Sequence, residues 1–261
     1  MVEEIITTLS RIKWLFVIAR NSSFTYKGQA VDVKQVGREL GVRYVLEGSV
    51  RKGGNLVRIT AQLIDAETGA HLWADRFDGS MEDVFDLQDQ VATSVAGIME
   101  PALQAAETRR AVARPTADLT AYDLYLRSLP LMLGWGKEPA LQALDLLRQA
   151  IARDPNYGPA LALAAWCTGQ LIGGGWTDDP EIARRDGFDL ARRAMRAAPD
   201  DPTVLVFAAG TLDILGEDIA TPLAMVDQAL SLNPSGAYGW FWSGFFRLFA
   251  GATDLAIEHF K

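Results

Sequence analysis

Apolar and polar positions alternate along this chain with two different periods, and the change from one to the other divides it. At the start, VEEIITTLSRI spaces Ile5, Ile6, Leu9 and Ile12 three or four apart, as one face of a helix. WLFVIAR (14–20) is apolar almost throughout and predicts a short buried strand. DVKQVGRELG (32–41) predicts a helix capped by Asp32 and closed by Gly41. Three strands follow: KGGN joins RYVLEGSVR to LVRITAQLIDA, and ETG turns that run into AHLWADRF. In the middle strand Val57, Ile59, Ala61 and Leu63 alternate with Arg58, Thr60 and Gln62, which leaves one face wet. The first half is therefore an α+β domain, an antiparallel meander with helices on its other side. From Ser80 to about Arg110 the period becomes helical. Val84, Leu87, Val91, Val95, Ile98 and Leu103 form the stripe, and Pro101 is expected to kink or interrupt it.

VARPTADLT (112–120), polar and containing Pro115, reads as a linker, and beyond it the sequence repeats itself. LLRQAIARDP, LARRAMRAAP and MVDQALSLNP align on Pro155, Pro199 and Pro234, each with an alanine five residues earlier: Ala150, Ala194 and Ala229. Ten residues after the prolines stand Ala165, Ala209 and Gly244. Pro199 and Pro234 are 35 residues apart, whereas Pro155 and Pro199 are 44 apart. The excess is expected as an insertion near GGGWTDDP (173–180). The period and the small residues resemble the tetratricopeptide repeat, two antiparallel helices in roughly 34 residues. Trp240 fits that family's tryptophan position, which Leu161 and Leu205 occupy in the other units. In the same register Ala256 and Phe260 are the small and aromatic positions of a second helix.

The first half carries a second resemblance. EEIITTLSRIKWLFVIARNSSFTYKG, VKQVGRELGVRYVLEGSVRK, VRITAQLIDAETGAHLWADRFDG and AYDLYLR resemble a bacterial signalling module in which a domain similar to the amino-terminal domain of TolB precedes tetratricopeptide repeats. The resemblance implies three segments: a TolB-like domain over 1–111, a linker over 112–120, and an all-α repeat solenoid over 121–261. In that family the module lies C-terminal to a class III adenylate/guanylate cyclase domain, or to a winged-helix DNA-binding domain as in CadC-like regulators. The family's domain opens with a strand of the IAVLPF kind upstream of the helix that begins here at Met1. The last repeat lacks its closing alanine and proline. Both ends are thus expected to be truncated.

Composition narrows the function. Apolar residues make up 49% and charged residues 22% of the 261, ordinary values for a core-forming chain. No apolar run approaches the roughly 20 residues that span a bilayer, and Glu3 and Glu4 stand where a secretory signal carries bases. A cytoplasmic protein without membrane partners is expected. The single cysteine, Cys167, forms no internal disulfide. Residues 1–115 hold 14 Lys and Arg against 15 Asp and Glu, and residues 116–261 hold 11 against 18. Neither half offers the clustered positive charge of a nucleic-acid surface.

Catalytic chemistry finds little support. His71 and His259 each lack a second ligand at metal spacing. Asp75 and Asp78 in WADRFDG read as solvated or capping carboxylates rather than an acid–base pair. RKGGN and LIGGGW lack the Lys-Ser/Thr of a phosphate loop. No catalytic, cofactor or metal residue is assigned. Tryptophans stand out instead: Trp135, Trp176, Trp240 and Trp242 either pack between helices or line a groove that holds an extended peptide or helix. Ala150, Pro155, Ala194, Pro199, Ala229, Pro234, Gly244 and Ala256 are the expected repeat-packing positions. The reading is a non-catalytic module that binds a protein or peptide, most consistent with the C-terminal part of an adenylate cyclase-type protein. The alternatives are the sensor part of a winged-helix regulator and a free-standing peptide-binding scaffold.

Overall fold

The three expected strands form one antiparallel sheet in the order β1 (Tyr44–Gly53), β2 (Leu56–Asp65) and β3 (His71–Ser80). The structure is a computed structural model and describes residues 2–113, 119–132 and 134–261. Its packing separates two units, Met1–Leu103 and Gln104–Lys261. In the first unit Gly53 pairs with Leu56, so Gly54 and Asn55 make the hairpin turn, and Gly54 takes the left-handed φ of 61° that such a turn favours. Asp65 Oδ1 accepts from the backbone N–H of Glu67 and Thr68, which shapes the second turn.

The period-2 pattern of β2 decides which face is covered. Val57, Ile59, Ala61 and Leu63 are buried, together with Ile5, Leu9 and Ile12 and with Leu87, Val91, Val95 and Leu103. These come from α1 (Val2–Leu9) with its following turn, and from α4 (Val84–Ala113). Asp32 caps α3 (Val33–Leu40) by accepting from Lys34 N, and Gly41 closes it with φ 65°. Between α1 and α3 lies the single-turn α2 (Arg20–Phe24).

One expectation for this unit fails, and another fails in part. Residues 15–19 form no strand, and Phe16 is 82% exposed. Apolar β-branched character makes a strand only where a neighbour completes the hydrogen-bond ladder, and among the described residues none pairs with this run. Nor does Pro101 interrupt α4, which continues through it. Along that helix Ile98 is 39% exposed while Ala92, Ala96 and Met99 are buried. The buried stripe is therefore wider than the large residues alone indicate; the side chain of Val84 lies outside the described residues.

The second unit is all helix. After the end of α4 come α5 (Ala121–Met132), α6 (Lys137–Arg153), α7 (Gly158–Gly173), α8 (Pro180–Ala197), α9 (Pro202–Ile214), α10 (Ala220–Leu232), α11 (Ala237–Phe249) and α12 (Thr253–His259). Successive helices pack as pairs, and α7 also packs on α5 and α9, and α9 on α11. Of the linker expected over 112–120, residues 114–118 lie outside the described residues. The Arg127 guanidinium donates to the carbonyl of Ala111 at 2.7 Å, which satisfies a free acceptor in the last turn of α4.

The three prolines act through the backbone. A residue before proline is pushed out of helical geometry, and Asp154, Ala198 and Asn233 all adopt extended φ near −140°. Each donates its N–H to the carbonyl of Ala150, Ala194 or Ala229, whose methyl groups are buried. Pro155 and Pro199 are themselves exposed, so they terminate helices rather than pack them, a correction to their assignment as packing residues. The next helix begins three residues after every one of these prolines, at Gly158, Pro202 and Ala237.

The extra nine residues between Pro155 and Pro199 are not a loop insertion. Relative to α9 and α10, helix α7 is three residues longer and α8 five longer, and their connection is longer by one. Because α7 starts and α8 ends in the common register, both extensions lie at the corner between them.

Candidate functional site

That extended corner brings two of the singled-out tryptophans together. Trp135 occupies the α5–α6 corner between Gly134 and Gly136, and Trp176 the α7–α8 corner. Their ring centroids are 6.2 Å apart, with the planes at 65°. The Trp176 indole lies against Gly174, where an added Cβ would stand 2.6 Å from the ring, so only glycine admits this contact. Trp135 is 68% exposed. Neither indole N–H has a hydrogen-bond partner among the described residues.

The other two tryptophans lie elsewhere. Trp240 donates its indole N–H to the carbonyl of Pro234 at 2.7 Å and stands edge-on to His259, 4.8 Å between centroids. Trp242, named above among possible partner-binding residues, is buried: its ring meets that of Trp166 at 5.0 Å and 78°. Sequence reasoning missed this pairing. The two rings, from α7 and α11, meet over Gly210 of the intervening α9, where an added Cβ would lie 3.0 Å from Trp166 and 3.2 Å from Trp242. A signal existed, since Trp166 and Gly210 both stand eleven residues after a repeat proline.

A polar network fastens the last helices. Arg247 donates to Asp227 Oδ1 at 2.8 Å and to the Ser243 hydroxyl, which lies 2.9 Å from His259 Nδ1. A Ser–His contact has the parts of a nucleophile and base. Here the Ser243 side chain is fully buried, so the group ties α10, α11 and α12 together instead. Gly244 sits beneath the Phe260 ring, where a Cβ would come within 2.8 Å, and Ala256 is buried. Around this end Phe241, Leu248, Phe249, Leu255 and Ile257 remain exposed.

The remaining candidates are accounted for by their neighbours. Asp78 accepts from Arg58 at 2.7 Å, and that hydrogen bond holds its carboxyl below the ordinary value. Asp75 accepts from the backbone N–H of Arg76, whose guanidinium lies 3.5 Å from Asp78. Burial pushes the Cys167 thiol up to about 12 and raises the Tyr125, Tyr157 and Tyr238 phenols. Among the described residues no three His, Cys, Asp or Glu side chains are placed to hold a metal ion. No helix among them is long and apolar enough to cross a membrane.

No family model matches the chain. It is similar to a protein of Rhizobium meliloti (strain 1021) named "Putative adenylate cyclase 3", with 47% identity over 160 residues. The aligned stretch is 61% of this chain and 27% of that protein, so the chain spans about a quarter of the relative's length.

Proposed function

We propose that this chain is the non-catalytic, interaction and regulatory part of an adenylate cyclase-type signalling protein. One observation carries the reading: 47% identity over 160 residues with a protein that bears a cyclase name. The first unit is read as a domain similar to the amino-terminal domain of TolB, and the second as a tetratricopeptide-type stack. The common register of helix starts and proline-terminated helix ends supports the stack. A non-catalytic role is supported by the fate of the polar groups that do converge. Asp227, Arg247, Ser243 and His259 spend their hydrogen bonds on one another, and Asp78 spends its own on Arg58.

The test is direct. The purified chain, incubated with ATP and Mg²⁺ or Mn²⁺, is expected to yield no cyclic AMP above a protein-free blank. Turnover that scales with chain concentration overturns the proposal.

A further inference from the structure

We propose that the Trp135–Trp176 corner is a docking site for a cationic segment, an extended stretch of a partner protein that presents arginine or lysine. The inference deepens the interaction reading above and rests on it. All nine residues that lengthen this repeat build the corner, since α7 and α8 grow only toward it. The lengthening sets Trp176, seated on Gly174, beside Trp135 from the neighbouring corner. Trp240 and Trp242 are spent within the fold, one by its hydrogen bond to Pro234 and the other by burial. Trp135 keeps two-thirds of its surface in solvent, and neither corner indole N–H has a hydrogen-bond partner among the described residues.

The chemistry of the corner selects the partner. The face of an indole attracts a cation, and arginine adds stacking to that attraction. The two corners carry Glu138, Asp178, Asp179 and Glu181 against Lys137 alone. Asp179 is held at the α8 N-terminus by the N–H groups of Glu181 and Ile182, whereas Asp178 has no hydrogen bond or ion pair among the described residues. Glu138 stands three residues from Trp135 and Asp178 two from Trp176, while Arg184 and Arg185, a turn further along α8, donate to the carbonyls of Leu215 and Glu181. With a guanidinium over the Trp135 face, the indole N–H groups can donate to backbone carbonyls of the same extended segment. Tryptophan and arginine are both enriched at interface hot spots.

The experiment titrates the whole chain with a short peptide of alternating Arg and Ser, and separately with one of alternating Glu and Ser. Indole N–H signals of all seven tryptophans are followed by NMR, assigned by single Trp→Phe substitutions. Saturable shifts confined to Trp135 and Trp176, with affinity lowered at least tenfold by Trp135→Ala and again by added salt, are the expected result. Trp135 is exposed, so its variant should keep the wild-type circular dichroism. Three results overturn the proposal: no saturation at millimolar Arg peptide, equal binding of the Glu peptide, or binding that survives Trp135→Ala while other indoles shift. Any of these leaves the cyclic AMP test untouched, and cyclic AMP production would sink the interaction reading whatever the peptides do.

Discussion

At Gly210 a single hydrogen stands where two tryptophans converge. A Cβ at 3.0 Å from Trp166 and 3.2 Å from Trp242 requires at least one ring to give way, and both are nearly buried. Gly210→Val is therefore expected to lower stability by about 1–3 kcal/mol, the usual cost of overpacking, read from the urea midpoint. An unchanged midpoint would mean that the ring pair is looser than its geometry implies. Cys167 makes a second prediction. Burial holds its thiol near 12, so little thiolate exists at pH 8. An aromatic disulfide reagent should modify it slowly in the native chain and rapidly in urea; fast native labelling would contradict that burial. The sequence marks Gly210 only by its offset from Pro199. Its role as the floor under two rings needs α7, α9 and α11 in place, because the three residues are far apart in the chain.

At the scale of elements, helix ends were the most legible feature. Proline disfavours helical geometry in the residue before it, and at Asp154, Ala198 and Asn233 that bias coincides with a helix end, whereas α4 and α5 continue through Pro101 and Pro130. The cap at Asp201 is local: its carboxylate accepts from Thr203 N at 2.8 Å, and Pro202 opens α9. Asp201→Ala should cost about 1 kcal/mol, within the 0.5–2 typical of lost N-caps, measured by thermal melting. No change would place the helix start under tertiary control. The run at 14–20 shows the opposite case. Its composition fits a strand, but a strand is a property of a pair, and among the described residues no partner completes it. The 44-residue spacing points to the right corner, but most of the excess there is helix rather than loop. A Gly-rich stretch signals a break in helix, yet the added residues on either side extend α7 and α8 up to that break.

For the whole molecule, two units of different class share one chain, and α4 runs from the first into the second. The second unit takes out of water ionisable groups that the unfolded chain exposes: the Cys167 thiol and the Tyr125 and Tyr157 phenols. Their folded pKa values are raised by burial, so the unfolded chain releases these protons at lower pH. Stability from them is full below the unfolded values and is lost as pH rises, for Cys167 between about 9 and about 12. The urea midpoint should fall steadily from pH 9 to pH 11. A midpoint flat across that range would show that water reaches these groups in the folded chain. Net charge of −8, carried mainly by residues 116–261, adds to the same trend through self-repulsion.

What the sequence alone determined was whatever depends on near neighbours: the two periods, the meander and its turns, the proline-ended helices, and the Ala150, Ala194 and Ala229 register. These arise from backbone sterics and side-chain spacing within a turn or a hairpin. Tertiary structure decided which tryptophans face water. Trp240 and Trp242 are two residues apart and differ in exposure more than fourfold, 38% against 8%, while Trp135 and Trp176, 41 residues apart, touch. Exposure is set by which helix comes to lie against a face, and that depends on where two corners meet in space rather than on the residues beside them in the chain.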